Sequence, residues 1–314
     1  MSSNNVLIST STFGVVSREP EEMLTSAGFH AVYNPHGRKL NREELISLAA
    51  DCIGVVAGTE TWDRAVMKAC PKLKVISRVG VGMDNVDTKA ARELGIIVRN
   101  TPFGPTRAVS ELTLALTMSL LRKVPQSHYN LVNGTWKKET GRLLSGKKIG
   151  IIGLGKIGKE TALIFRALEN EVSAYDPYFD SEWSLEHDIR YQEMAGLLED
   201  SDIVILHLPA TAEKKAVIAE RELKLMKENA LLVNVSRGGV VNEGALFNAL
   251  KNNAIGGAAI DVFQEEPYLN GPFCSLDNVV LTPHIGSYAA ESKLQMEKDA
   301  VKHLLEVLMD PDKL

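Results

Sequence analysis

Three residues in this 314-residue chain stand where polar side chains are hard to explain by structure alone. Arg237 follows the apolar run LLVNVS and precedes Gly238-Gly239, which puts a guanidinium at the carboxyl edge of a strand. Glu266 follows GGAAIDVFQE and is held extended by Pro267. His284 follows VVLTP, again at a strand end. In open α/β sheets ligands bind outside the carboxyl ends of the strands, so three strand ends can deliver Arg, Glu and His to one crevice. Histidine takes or gives a proton near neutral pH. A carboxylate beside it favours the imidazolium and orients the ring, and arginine grips a substrate carboxylate with two prongs and polarises a carbonyl. The set suits oxidation of a 2-hydroxy acid, in which a base takes the hydroxyl proton while hydride leaves C2, and suits the reverse reduction. Taken singly, a surface Glu–Arg pair and a structurally satisfied histidine explain these residues as well. Their conjunction with a cofactor motif favours catalysis.

That motif is KKIGIIGLGKIGKE, residues 147–160, where Gly153-Leu-Gly155-Lys-Ile-Gly158 follows a strand-like run and opens a helix-like one. Gly153 makes the tight turn, Gly155 lets backbone approach a pyrophosphate, and Gly158 lets helix pack on strand. Phosphates then sit on the helix N-terminus, where unpaired N–H groups and the dipole favour anions. A second strand follows the helix and ends in Asp176, about 18 residues beyond Gly158. A carboxylate there binds the ribose hydroxyls of NAD and repels the extra phosphate of NADP. Pro177 and Tyr178 come next, with no arginine to welcome that phosphate, so NAD is the expected cofactor.

These residues need a scaffold, and the apolar pattern predicts one. Strand-like runs fall at 6–9, 31–33, 54–57, 74–77, 96–98, 149–152, 172–175, 203–206, 231–235, 257–260 and 279–281, with helix-like segments between them. Such alternation implies parallel sheets with helices on both faces. Prolines and a glycine punctuate NTPFGP near residue 103. Long helices are expected from Thr106 to about Lys123 and from about Ala289 to Leu308. The last of these suggests that the chain returns to its first domain. The expected domains are then 1–103 with 288–314, for substrate, and 104–287, for dinucleotide.

The formal net charge is −5, apolar residues make up 45% and charged residues 24%, the mix of an ordinary globular protein. No basic block points to nucleic acid or a membrane surface. The start, MSSNNVLIST, shows no secretory leader, so the expected location is the cytoplasm. Cys52, Cys70 and Cys274 lack metal-ligand spacing and read as buried free thiols. Trp183 lies in the polar stretch YFDSEWSLEHD, which reads as a solvated loop.

Six segments carry a resemblance over essentially the whole chain: SRVGVGMDNVD (77–87), NTPFGPTRAVSELTLALTMSLLR (100–122), IGIIGLGKIG (149–158), VNVSRGGVVNEGAL (233–246), AAIDVFQEEP (258–267) and TPHIGS (282–287). In order and spacing they resemble the D-isomer-specific 2-hydroxyacid dehydrogenases, and within them the phosphoglycerate dehydrogenases. The resemblance implies two Rossmann-like lobes, the NAD-binding lobe inserted into a discontinuous, flavodoxin-like substrate lobe. It implies that Arg237 binds substrate, that Glu266 partners the histidine and that His284 is the acid/base. Cofactor contacts are implied at Lys156, Ile157, Asp176, Val235, Ser236, Arg237, Asp261, His284, Gly286 and Ser287, with Leu208 and Pro209 covering the cofactor beside His207. Arg78, Val79, Gly80 and Val81 correspond to the family's substrate loop, and no metal is implied. A homodimer through the helix from Thr106 and the segment on to Trp136 is implied as well.

Some positions depart from the phosphoglycerate pattern. Arg78 stands where one cationic phosphate contact is expected and Lys138 near another, but a third position reads Val56-Ala57-Gly58-Thr59, without arginine. A phosphate wants two or three charge-assisted partners, so 3-phosphoglycerate competes with hydroxypyruvate, glyoxylate or another short 2-keto acid. Phosphite as hydride donor, and an NADH-sensing, corepressor-like interaction protein, are the further alternatives. The sequence stops soon after the last long helix, so feedback through an appended regulatory domain is not expected.

Overall fold

The computed structural model describes residues 4–210 and 215–310. The chain divides into two compact units, residues 1–105 with 287–314, and residues 106–286. The first holds β1 (Asn5–Ile8), β2 (His30–Tyr33), β3 (Gly54–Ala57), β4 (Val75–Arg78) and β5 (Ile97–Asn100). They form a five-stranded, wholly parallel sheet in the order β2-β1-β3-β4-β5. Both faces are covered. Leu7, Val55 and Ile76 pack with Leu45, Val66 and Ala90 on one side. Val6, Ile8, Val56 and Val75 meet Ala300, Val301, Leu304 and Val307 of the helix Ala290–Leu308 on the other. Gly54 lets sheet and helix pack closely there, since a Cβ would meet Leu304 and Val75 at 3.1 Å. Ser77 ties sheet to helix by donating its Oγ–H to the Ala300 carbonyl at 2.7 Å.

The second unit holds β6 (Lys148–Ile152), β7 (Glu171–Tyr175), β8 (Arg190–Tyr191), β9 (Ile203–Leu206), β10 (Leu231–Asn234), β11 (Gly257–Ile260) and β12 (Val279–Leu281). Their order is β12-β11-β10-β9-β6-β7-β8, again parallel throughout. β9 and β10 are buried at every position, as central strands covered on both faces must be. The order reverses between β6 and β9, and that switch point is where such sheets open a crevice for ligand. The helices Thr106–Arg122 and Lys156–Ala167 pack on one face, their apolar stripes shielding Ile149, Ile151, Ile203 and Val233.

Three expectations need correction. The two-residue β8 has no apolar run to announce it. Trp183 lies not in a solvated loop but in a helix, Ser181–Glu186, capped by Asp180. Its indole packs on the core, stacks on His187 at 4.5 Å and lies under the Lys159 ammonium at 4.8 Å. Cys52 and Cys70 are buried, but Cys274 is exposed. It occupies the short turn Pro272–Ser275, in which Phe273 takes the buried position instead.

Candidate active site

In residues 106–286 the catalytic candidates come from the exits of β10, β11 and β12. The segment after β11 carries Glu266, whose Oε1 accepts the Phe263 N–H at 3.0 Å, curling the acid back over its own loop. Its Oε2 lies 2.8 Å from Nδ1 of His284. A carboxylate can only accept here, so Nδ1 carries the hydrogen and Nε2 presents a lone pair for a substrate proton. His284 is held in the left-handed region at φ 55°, its own N–H bonded to the Asp261 carbonyl at 2.9 Å.

Asp261 fixes that turn. Fully buried, it accepts from the Thr282 hydroxyl at 2.6 Å, from the Ile285 N–H at 2.8 Å and from the Gly286 N–H at 2.9 Å. Burial pushes its carboxyl above the usual range, while the bonds from Thr282 and Ile285 and the nearby His284 pull the other way. Oδ1 is filled by two donors and Oδ2 by one, which leaves a single lone pair for a donor from outside.

Arg237 leaves β10 through a small polar knot, in which the Ser236 hydroxyl and N–H both reach Asn234 Oδ1, at 2.8 and 3.2 Å. The guanidinium donates to the Ser236 carbonyl at 2.7 Å. Gly238 then runs against the segment bearing Glu266, so closely that a Cβ would stand 1.9 Å from the Phe263 carbonyl oxygen. Glu243, in the first turn of the helix Glu243–Lys251, accepts the Gln264 N–H at 2.5 Å and holds the same segment from its other side. Sequence reasoning assigned Glu243 no task, although it lies in the quoted VNEGAL.

The glycine turn has the space the motif implies. Gly153, at φ 99°, lets the His207 carbonyl approach within 2.4 Å of where a Cβ would be, and a Cβ on Gly158 would strike the Gly153 carbonyl at 2.1 Å. Gly155 differs from both, because nothing lies within 4 Å of its Cβ position. It is the N-cap of the helix Lys156–Ala167 and provides no side-chain cap, so neither a side chain of its own nor a neighbouring atom fills the space beside the start of the helix. The chain therefore fits a dinucleotide pyrophosphate at this point. Asp176 closes β7 with Oδ2 on the Leu154 N–H at 2.7 Å and Oδ1 on the Tyr178 N–H at 2.8 Å, and each oxygen keeps a lone pair for a ribose hydroxyl. At the end of β9, His207 Nε2 lies 2.9 Å from the Thr161 hydroxyl, which bonds Ser110 Oγ at 3.1 Å. Desolvation pushes this imidazole down to about 3, so it is a neutral strut under the turn. Leu208 and Pro209 follow it. Val235 is buried between Asn234 and Ser236.

Arg78, Val79, Gly80 and Val81 belong to the other unit. Val79 N–H bonds the Ala57 carbonyl at 2.9 Å, and Gly80 N–H bonds the Thr101 hydroxyl at 2.7 Å. The Arg78 guanidinium donates to the Val79 carbonyl at 2.7 Å and covers Gly80, whose φ of 131° only glycine adopts readily. Ser287, the last of the implied cofactor contacts, also lies in this unit. Among the described residues no group of His, Cys, Asp and Glu could hold a metal ion, and no helix is long and apolar enough to cross a membrane.

Residues 114–286 match the family model of the D-isomer specific 2-hydroxyacid dehydrogenase, NAD binding domain. The chain is 39% identical over 261 residues to a D-3-phosphoglycerate dehydrogenase of Archaeoglobus fulgidus, covering 82% of this chain and 50% of the relative. It is likewise 39% identical over 256 residues to a glyoxylate reductase of Thermococcus litoralis, covering 79% and 77%. The chain thus spans about half the length of the phosphoglycerate dehydrogenases it matches and most of the length of the reductase. Among solved structures, the TT0316 protein of Thermus thermophilus superposes with a TM-score of 0.87 at 32% identity, covering 97% of each chain.

Proposed function

The chain belongs to the D-isomer-specific 2-hydroxyacid dehydrogenase family, and from that premise we propose that it transfers hydride between NAD(H) and C2 of a D-2-hydroxy acid or 2-keto acid. The observation that carries this reading is the 2.8 Å contact between His284 Nδ1 and Glu266 Oε2, on an element exit of the same sheet that carries the open glycine turn. When bound, the nicotinamide supplies the hydride acceptor or donor.

The chain's own groups handle the rest. Arg237 pairs its guanidinium with the substrate carboxylate and draws electron density from the C2 oxygen. His284 Nε2 takes the hydroxyl proton in oxidation and returns it in reduction. Glu266 accepts the Nδ1–H throughout, which fixes the tautomer and stabilises the imidazolium that oxidation creates. Val79, Gly80 and Val81 provide the substrate loop, in which the Val79 and Gly80 N–H groups are spent on Ala57 and Thr101 and fix its shape, and the Val81 N–H is the one offered to a substrate carboxylate. NAD is preferred to NADP because Asp176, held by one oxygen on the turn at Leu154 and by the other on Tyr178, would face a 2′-phosphate as a like charge.

The assembly is a homodimer in this reading. The helix Val124–Val132 buries none of its residues, and Val124, Tyr129, Leu131, Val132 and Trp136 are all exposed apolar groups of one short stretch, an unusual solvent face. A monomer mass by sedimentation would overturn that element. The compartment proposed is the cytoplasm, in keeping with three cysteines that form no disulfide.

The decisive test is His284→Asn, assayed for NADH oxidation with a panel of 2-keto acids. Turnover falls on the order of 10²–10⁴-fold while NADH binding, read by fluorescence, persists. An unchanged rate would remove His284 as the acid/base.

A further inference from the structure

Glu60 follows β3 and is 2% exposed, an unusual place for a carboxylate. Its Oε2 accepts the Ser9 hydroxyl at 2.9 Å and the Gly58 N–H at 3.0 Å. Among the described residues it has no cationic partner, and Oε1 accepts no hydrogen bond. Nor is Oε1 one of the buried polar atoms left without a bond, so it is the part of this residue that solvent or a ligand can touch. Buried acids are normally paired with a cation or saturated with donors. This one is saturated on one side only.

The turn that holds it is rigid. Asn85 Nδ2 donates to the carbonyls of Gly58 and Glu60, at 3.2 and 2.6 Å. A Cβ on Gly58 would stand 3.2 Å from both carboxylate oxygens and from Thr10 Cβ, so any larger residue would crowd the acid. Ser9 closes β1, Gly58 and Glu60 close β3, and the Arg78–Val81 loop closes β4. All three exits lie side by side at the carboxyl edge of one parallel sheet, where α/β sheets take their ligands. The loop begins where Val79 N–H meets the Ala57 carbonyl, one residue before Gly58.

We propose that Glu60 is a specificity-determining residue: its Oε1 receives a hydrogen-bond donor carried by the substrate beyond C2 and rejects a substrate with a second negative charge there. The substrate class is then a short 2-keto or 2-hydroxy acid whose far end is a hydroxyl and not a phosphate. This rests on the substrate role given above to Val79–Val81. A hydroxyl satisfies the open acceptor, whereas a phosphate dianion meets a fixed carboxylate in a poorly solvated turn, where like charges repel strongly.

The experiment compares hydroxypyruvate, pyruvate and 3-phosphohydroxypyruvate as NADH oxidants for the intact chain and for Glu60→Gln, with folding checked by thermal melting. The intact chain favours hydroxypyruvate over both others. Glu60→Gln removes the charge at nearly constant shape, and the kcat/KM ratio of 3-phosphohydroxypyruvate to hydroxypyruvate rises on the order of tenfold or more. An unchanged ratio in a folded variant overturns the proposal and leaves the dehydrogenase reading standing. Should Glu60→Gln not fold, the intact chain decides, since a preference for the phosphorylated acid overturns the proposal outright. If no acid is turned over while NADH binds, the dehydrogenase reading falls and the proposal with it.

Discussion

In residues 106–286 the acids at the strand exits, Asp176, Asp261 and Glu266, spend their oxygens on backbone N–H groups and on His284, while Glu60 in the other unit keeps one oxygen open. The first three act mainly as clamps. They set where a turn or a ring lies, and every one of their oxygens carries at least one hydrogen bond. Glu60 is equally fixed, but its Oε1 carries no hydrogen bond. One unit builds chemistry by immobilising groups, and the other distinguishes substrates by leaving a fixed group unsatisfied.

That contrast can be tested at graded cost. Asp261→Asn is expected to have the largest effect. Its amide offers one acceptor oxygen, and its NH₂ must face either Gly286 N–H or the Thr282–Ile285 pair of donors. A buried donor left unmet costs about 1–3 kcal/mol, and kcat falls on the order of 10–100-fold as the His284 turn loosens, measurable by NADH oxidation with NADH affinity as control. If kcat holds, the clamp is not what places His284.

A smaller effect is expected at Glu243, which holds the Glu266 segment through the Gln264 N–H. Glu243→Ala broadens the placement of Glu266 and lowers kcat by up to about tenfold, the equivalent of one charge-assisted bond of about 1.5 kcal/mol. Glu243→Gln, which retains an acceptor, recovers most of it. A purely structural role would lower melting temperature without moving the pH profile of kcat, so the profile separates the two.

The smallest effect is one of stability. His207 has a folded pKa of about 3, below its ordinary 6.5. Between those values the unfolded chain binds a proton that the native ring refuses, so stability falls as pH drops through this window and is intact above it. His207→Gln removes that contribution, and the acid side of a plot of stability against pH becomes shallower. An unchanged slope would mean that the ring is protonated in the native protein.

The sequence was most readable where both faces of a strand are buried. Continuous apolar runs such as Ile203–Leu206 and Leu231–Asn234 have no other use, so their places emerged to within a residue or so. The Glu266–His284 contact was readable because strand ends converge by topology, whatever lies between them. Trp183 was not, since a polar stretch hides a short helix whose indole is claimed by Lys159 and His187. Glu60 was not either. Its burial depends on Ser9, 51 residues earlier, and on Asn85, 25 residues later, and no local pattern records such partners.

The helix Ala290–Leu308 has a consequence for how the protein is made. It supplies Ala300, Val301, Leu304 and Val307 to one face of the sheet whose strands end at residue 100. During synthesis from the N-terminus that face emerges first, covered in part by the helix Glu19–Ser26, and waits for the rest of its cover while the whole of residues 106–286 is added. The later-born unit can therefore finish folding before the earlier one. A nascent chain halted near residue 286 would carry a complete dinucleotide fold and a sheet whose Val6, Ile8, Val56 and Val75 face still lacks the cover of the last helix, a surface for chaperones to guard until that helix arrives.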